Sequence, residues 1–237
     1  MHTHSNFQAT GLAIGEGHLS PGECLQLRTV IGEFRAAHKL PLISREVSGR
    51  SLRYFVMDGR SIRESCPGVV ELYERIGATV AEMTGLRLVP MPNSAANLNV
   101  NITPPGGEYR WHYDRNAVTA ILYLNSVRGG EVEIYPNYRI HLGRWKTGWA
   151  QRALDRVLLW MRTFARMTVV APREGLLVVM RGDRSLHSVR RVEGADERIN
   201  IVMSFDEPRT GAPPLSELDS YLFSKDHVAA SDPNYRK

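Results

Sequence analysis

The chain has 237 residues, 43% of them hydrophobic, with a formal charge of +5 and a pI near 9.4, enough for one domain with a full core. The basic balance permits anionic partners, but the charge is spread along the chain, which favours an acidic small molecule over nucleic acid. Only two cysteines, Cys24 and Cys66, argue against a disulfide framework and make a reducing cytoplasm the default; no signal-peptide pattern and no apolar run of membrane-spanning length is seen.

Residues 1–19 have no clear period and read as a loose or strand-like lead-in, with His2 and His4 in a solvated tail. Ser20-Pro-Gly-Glu23 is a capping box with Pro21 at the first helical position. Leu27, Val30, Ile31 and Phe34 follow at helical spacing, so a helix to about His38 is expected. Irregular structure or a strand follows over 40–47, and a strand over 52–57. Pro67-Gly68 opens a second helix with the stripe Val69, Tyr73, Ile76, Val80 and Met83, capped beyond its end by Gly85. Residues 97–103 alternate as a strand. Asn97, Asn99 and Asn101 share one face, and their amides need partners: the face is either solvent-facing or, the preferred reading, a pocket wall.

A turn at 104–107 delivers Tyr109-Arg-Trp-His112-Tyr-Asp114. Positions two apart on a strand point the same way, so His112 and Asp114 can reach one point in space. With eight histidines in the chain such a triplet can arise by chance, and its weight depends on its partners. Residues 118–125 form a further strand, and Gly129-Gly130 turns into another at 131–135, with a continuation through 138–142 as an option. Residues 148–166 read as a helix with the stripe Leu154, Leu158, Met161 and Ala165: either a lid over the site or a patch on the outside of the core. Strands at 167–171, 176–180 and 199–205 complete the pattern, and a polar tail from 208 carries one short helix at 216–223.

His187 follows the buried strand at 175–180 and a Gly182-Asp183 turn, and is the natural third metal ligand, ahead of His141. Two imidazoles and a carboxylate occupy one face of an octahedral metal, a set suited to Fe(II) with open positions. Eleven residues on, Arg198 shares an inward face with Asn200 and Val202. An inward guanidinium is costly unless it meets an anion, and its planar fork matches a carboxylate.

HxD, a distant His and an Arg about ten residues later make the chain similar to the Fe(II)/2-oxoglutarate-dependent oxygenases. Residues 109–114, 120–125 and Gly129-Gly130-Glu131 resemble the prolyl-hydroxylase branch, and the tyrosine matching Tyr123 contacts 2-oxoglutarate there. Asn101 and Arg198-Ile-Asn200 resemble the nucleic-acid dealkylating branch, with part of its arginine pattern absent. The resemblance covers about 97–205. It implies His112, Asp114 and His187 as catalytic metal ligands, Arg198, Tyr123, Asn101 and Asn200 as cosubstrate contacts, and Fe(II), 2-oxoglutarate and O2 as cofactors. It further implies release of succinate and CO2 with oxidation of a C–H bond. Relatives that halogenate replace the ligand carboxylate with a small residue, so Asp114 favours hydroxylation, with desaturation or ring closure open to the same triad.

The expected fold is mainly β with flanking helices: a double-stranded β-helix, or cupin-like jelly roll. Residues 1–237 are read as one oxygenase domain, with helical support over about 20–85, a core over about 97–207, a candidate lid at 148–166 and a tail at 208–237. The expected substrate is a small molecule, with an anionic one among the options, such as an amino acid or natural-product intermediate. No nucleic-acid or membrane partner is expected, and oligomeric state is left open. Candidate substrate contacts are Trp111, Tyr113, Glu131, Arg184 and Arg190, with Tyr135 and Trp145 behind them. The alternatives are a prolyl-type hydroxylase of protein side chains and a non-enzymatic cupin-like binder, which has no ready use for Arg198.

Overall fold

The computed structural model describes residues 7–40, 42–47, 50–142 and 149–208. The expectations for His2, His4, Trp145, the helix at 216–223 and the tail from 209 lie outside these residues. In chain order the elements begin with a single helical turn α1 (Phe7–Thr10), strand β1 (Leu12–Gly15) and helix α2 (Pro21–Ala37). The hairpin β2 (Leu42–Val47) and β3 (Arg50–Met57) is followed by α3 (Gly59–Ser65) and α4 (Pro67–Thr84). The core strands are β4 (Val89–Pro90), β5 (Leu98–Thr103), β6 (Tyr109–His112), β7 (Val118–Tyr123), β8 (Arg128–Gly129) and β9 (Val132–Tyr135). Helix α5 (Trp149–Met161) runs into a 3-10 turn (Arg162–Phe164), and β10 (Thr168–Val170), β11 (Leu177–Met180), β12 (Leu186–Val189), β13 (Val192–Glu193) and β14 (Arg198–Asp206) finish the fold.

Helix α2 starts at the expected box, in which the Ser20 hydroxyl accepts from the Glu23 backbone N–H and the Glu23 carboxylate accepts from the Ser20 backbone N–H. Helix α4 ends at Gly85, whose φ of 65° is the left-handed conformation that favours glycine. Helix α3 is not signalled by the sequence pattern: its seven residues are too few for a stripe, and Asp58 caps it by accepting from the Ser61 N–H at 2.8 Å. The option of a strand through 138–142 is not realised. Asn137 takes a φ of 50°, which ends the extended run after β9.

The main sheet runs β1-β11-β7-β14-β5-β3-β2, with β4 on the end of β14; the second runs β10-β9-β12-β6, and β13 and β8 form a small ribbon. The two larger sheets make the jelly roll, and they do not close on each other. Alternation along β14 decides what each face meets. Ile201, Met203 and Phe205 join Leu98, Val100, Ile102 and Leu122 under Ile62, Leu72, Ile76 and Val80 of the helices. Each such side chain contributes roughly 1.5–3 kcal/mol on burial. The other face of β14 presents Arg198, Asn200, Val202 and Ser204 to a cavity between the sheets. Beside that cavity Ile121, Tyr123, Val132, Ile134, Val178 and Met180 pack as a second apolar cluster, so the inside of the roll is part core and part polar chamber. Cys24 and Cys66 are both buried and free.

Candidate active site

Backbone register brings the remote pieces together. His187 on β12 stands directly opposite His112 on β6, with ring centroids 4.0 Å apart. The next pair is Val189 with Tyr109, so Arg110 and Trp111 together face the single Ser188, which is a bulge. Because of it Tyr109 and His112, three apart, both line the cavity. The loop after β6 is clamped to the turn before β12, since the Asp114 N–H donates to Gly182 O (2.9 Å) and the Gly182 N–H to Ala117 O (3.1 Å).

His112 Nε2 lies 3.4 Å from Asp114 Oδ1, and His187 Nε2 lies 3.5 Å from Asp114 Oδ2. All three ligand atoms fall within 4.8 Å of one another. Two atoms each about 2.1 Å from one ion, at angles between octahedral and tetrahedral, stand about 3–3.5 Å apart, so the set fits a metal. The imidazole tautomers agree. Nδ1 of His112 faces Arg110 O and Nδ1 of His187 faces Ser185 O, both at 2.9 Å. A carbonyl only accepts, so each Nδ1 carries a proton, which leaves Nε2 as the nitrogen whose lone pair a metal would take. Burial, together with the neighbouring His112, pulls the pKa of His187 down to about 4. Burial pushes Asp114 up, but His187, His112 and a hydrogen bond from Thr119 outweigh it and hold the carboxyl well below the usual range. Two neutral imidazoles and a carboxylate are the forms a divalent cation requires.

Two residues that sequence reasoning missed set the carboxylate. Thr119 Oγ1 donates to Asp114 Oδ2 at 2.5 Å and accepts from Asn116 Nδ2 at 2.9 Å. Gly182 lies so close that a Cβ there would meet Thr119 Oγ1 at 2.6 Å and Asp114 Cβ at 3.1 Å. The Gly-Asp turn is visible in the sequence; its packing against Asp114 is not.

Deeper in the chamber Arg198 is 3% exposed. It donates to Asn200 Oδ1 (2.6 Å) and to the Tyr123 hydroxyl (3.2 Å), both neutral, while its Nε has no partner among the described residues. A buried guanidinium with only neutral partners calls for an anion, and the bidentate carboxylate of a diacid is the natural one. Gly130, at a φ of 67°, makes room for it, since a Cβ would lie 2.9 Å from Arg198 Cδ. Asn101 pairs with Asn200 across β5 and β14, and both line the cavity. Of the asparagine row, Asn99 and Asn101 line the chamber and Asn97 does not: Asn97 accepts from Arg63 and donates to Met91 O, while Asn99 donates to Ala96 O and keeps its Oδ1 buried and without a partner among the described residues.

The five expected substrate contacts do not line this cavity. Trp111, next to His112, takes the other side of β6, against Tyr135 (5.4 Å between centroids), with the Arg50 and Arg162 guanidinium groups each 5.4 Å from its ring. Arg190 is tied to Glu133 at 2.8 Å, and Tyr113 lies beneath Arg139. Arg184 is exposed at a turn, and Glu131 O accepts from the Arg190 N–H outside the chamber. Tyr54, Val56, Met91, Ala96, Asn99 and Arg115 line it instead. His141 faces Asp183 O (3.2 Å) and is not part of the ligand cluster. No residue of α5 lines the cavity.

Residues 98–205 match the family described as the 2OG-Fe(II) oxygenase superfamily. Similar solved structures include the non-heme alpha-ketoglutarate-dependent epimerase SnoN from nogalamycin biosynthesis, 17% identical, TM-score 0.64, covering 90% of this chain and 88% of that one. The carbocyclase SnoK of the same biosynthesis is 14% identical, TM-score 0.69, with 91% and 89% covered. A Pseudomonas putida prolyl-4-hydroxylase is 18% identical, TM-score 0.56, with 87% and 97% covered. No curated protein sequence matches the chain. At these identities the likeness is one of fold.

Proposed function

We propose that this chain, a member of the 2OG-Fe(II) oxygenase superfamily and so a non-haem iron dioxygenase using Fe(II), 2-oxoglutarate and O2, hydroxylates an unactivated C–H bond of a small organic molecule. An amino acid or a natural-product intermediate is the substrate class. The observation that carries this reading is the pairing of the His112-Asp114-His187 cluster with a buried arginine whose bonded partners are neutral, in one chamber. Fold relatives named for epimerisation and carbocycle formation in nogalamycin biosynthesis support a small-molecule substrate.

In this reading His112 and His187 donate their Nε2 lone pairs and Asp114 one oxygen to Fe(II), with Thr119 fixing the carboxylate's angle. Arg198 takes the far carboxylate of 2-oxoglutarate, its fork held by Asn200 and Tyr123, and Asn101 lies close enough in register to add a hydrogen bond. Bound iron and 2-oxoglutarate together supply the O2-dependent oxidation that yields succinate and CO2. Asn99 Oδ1 is an acceptor, and 2-oxoglutarate as a dianion offers no donor, so in this reading it accepts from an O–H or N–H of the substrate.

Anaerobic titration of the Fe(II) protein with 2-oxoglutarate tests the reading through a visible charge-transfer band. The band is expected in the wild type and lost in His187→Ala and Asp114→Ala. Succinate release is then screened against free amino acids, natural-product intermediates and prolyl peptides. Absence of the band sinks the dioxygenase assignment, and stimulation by prolyl peptides alone replaces the small-molecule substrate with a protein one.

A further inference from the structure

Helix α5 is held firmly from one side. Arg139 binds Asp155 at 2.9 and 2.6 Å, the Tyr138 hydroxyl donates to Leu158 O at 2.8 Å, and Gln151 bridges Ile140 O and the Leu142 N–H. Leu154 and Leu158 face the same way and are half-buried. The rotation of the helix about its axis is therefore determined, and so is what it turns outward.

Outward lies a second apolar stripe: Trp149 (80% exposed), Ala153, Val157, Trp160 (74%) and, in the following turn, Phe164 (83%). The spacing of 4, 4, 3 and 4 keeps them on one ridge. Two tryptophans and a phenylalanine in water on a fixed helix mark a surface that binds something. Arg152 and Arg156 flank the ridge and are exposed, as is Arg166 beyond it. The one acid of the helix, Asp155, is turned inward to Arg139. A second copy of the same ridge would bring arginines against arginines, and so the occupant is acidic as well as apolar.

The chain carries such a segment. Residues 215–226 read LSELDSYLFSKD, with Leu215, Leu218 and Leu222 at helical spacing and Glu217, Asp219 and Asp226 among them. The last described residues are linked to α5 by a relay of contacts. Glu207 pairs with Arg181 at 2.9 Å, Arg181 is 3.9 Å from Asp183, and the Asp183 carbonyl accepts from Arg139, the partner of Asp155. Six residues, 209–214, separate Pro208 from Leu215; extended, they span about 20 Å, which matches the length of a 13-residue helix. We propose that residues 215–226 dock along the Trp149–Phe164 ridge of α5, their leucines on its aromatic rings and Glu217 and Asp219 against Arg152 and Arg156.

The test reads the emission of Trp149 and Trp160 in the full chain, as the difference between wild type and Trp149→Phe/Trp160→Phe. In the wild type these tryptophans should be protected from acrylamide. Leu218→Asp/Leu222→Asp and, separately, Glu217→Arg/Asp219→Arg should shift emission to the red and lose that protection. Adding Arg152→Glu/Arg156→Glu to the second variant should restore it. The Fe(II)·2-oxoglutarate band, or far-ultraviolet circular dichroism should that band be absent in the wild type, checks that each variant is folded. The proposal is overturned if wild-type tryptophans are as accessible as free indole, or if neither tail variant changes their protection. Protection lost on dilution points to a second copy instead. Protection gained only with phosphatidylserine vesicles points to a lipid surface.

Discussion

Replacing Arg198 with methionine should separate cosubstrate binding from stability. The guanidinium is 3% exposed and bonded to two neutral groups, so Arg198→Met removes a buried, unpaired charge and two hydrogen bonds together. These effects oppose each other, and the ligand-free stability should move by no more than about 1 kcal/mol. Binding has no such compensation. Losing one partner of a buried charge pair costs about 2–5 kcal/mol, and taking roughly 3 weakens 2-oxoglutarate about a hundredfold. With 2-oxoglutarate added to the Fe(II) protein at 100 times the wild-type Kd, the ligand stabilises wild type by about 2.7 kcal/mol and the variant by about 0.4. For a chain of this size that is a rise in Tm of roughly 5–10 °C against about 1 °C. Anaerobic thermal unfolding with and without 2-oxoglutarate measures both. An equal rise in the two proteins would refute the anchoring role of Arg198.

Thr119→Val keeps shape but removes the hydrogen bond to Asp114, and should weaken Fe(II) by about tenfold or more in an anaerobic metal titration while Thr119→Ser does not. Gly182→Ala places a Cβ 2.9 Å from the Asn116 carbonyl as well as against Thr119; a loss of about 1–3 kcal/mol in urea unfolding, with weaker Fe(II) binding, is expected, and unchanged values would show that the turn yields freely. Burial pushes Glu133 up, but hydrogen bonds from Arg190, Ser188 and Arg50 hold it below its ordinary 4.5. The stability it contributes is therefore present above that value and lost as pH falls below it. Glu133→Gln should cost about 2 kcal/mol at pH 7, discounted for the half-exposed Arg190, and the gap from wild type should close on acidification; a gap that widens would reverse the sign. Asn99→Leu should leave 2-oxoglutarate affinity unchanged; a large loss would move Asn99 from the substrate to the cosubstrate.

Local patterning determined a good deal by itself. The capping box at Ser20, the stripe of α4, and the alternation that sends Arg198 and Asn200 one way and Ile201 another all follow from the geometry of single elements, whereas Asp114 lies in the loop after β6 and is aimed by its hydrogen bond to Gly182. The tertiary structure alone decided which of the remaining polar and aromatic residues meet the chamber. Trp111 and Arg190 neighbour cavity-lining residues in sequence, yet face outward, because the two sides of a strand meet different sheets and helices. The bulge opposite Ser188 adds Tyr109 to the chamber, the contacts of Gly130 and Gly182 join segments more than 60 residues apart, and Thr119 holds a ligand from the preceding loop. The long-range contacts depend on cross-strand register, set by the packing of the whole roll, and no local window of the chain contains them.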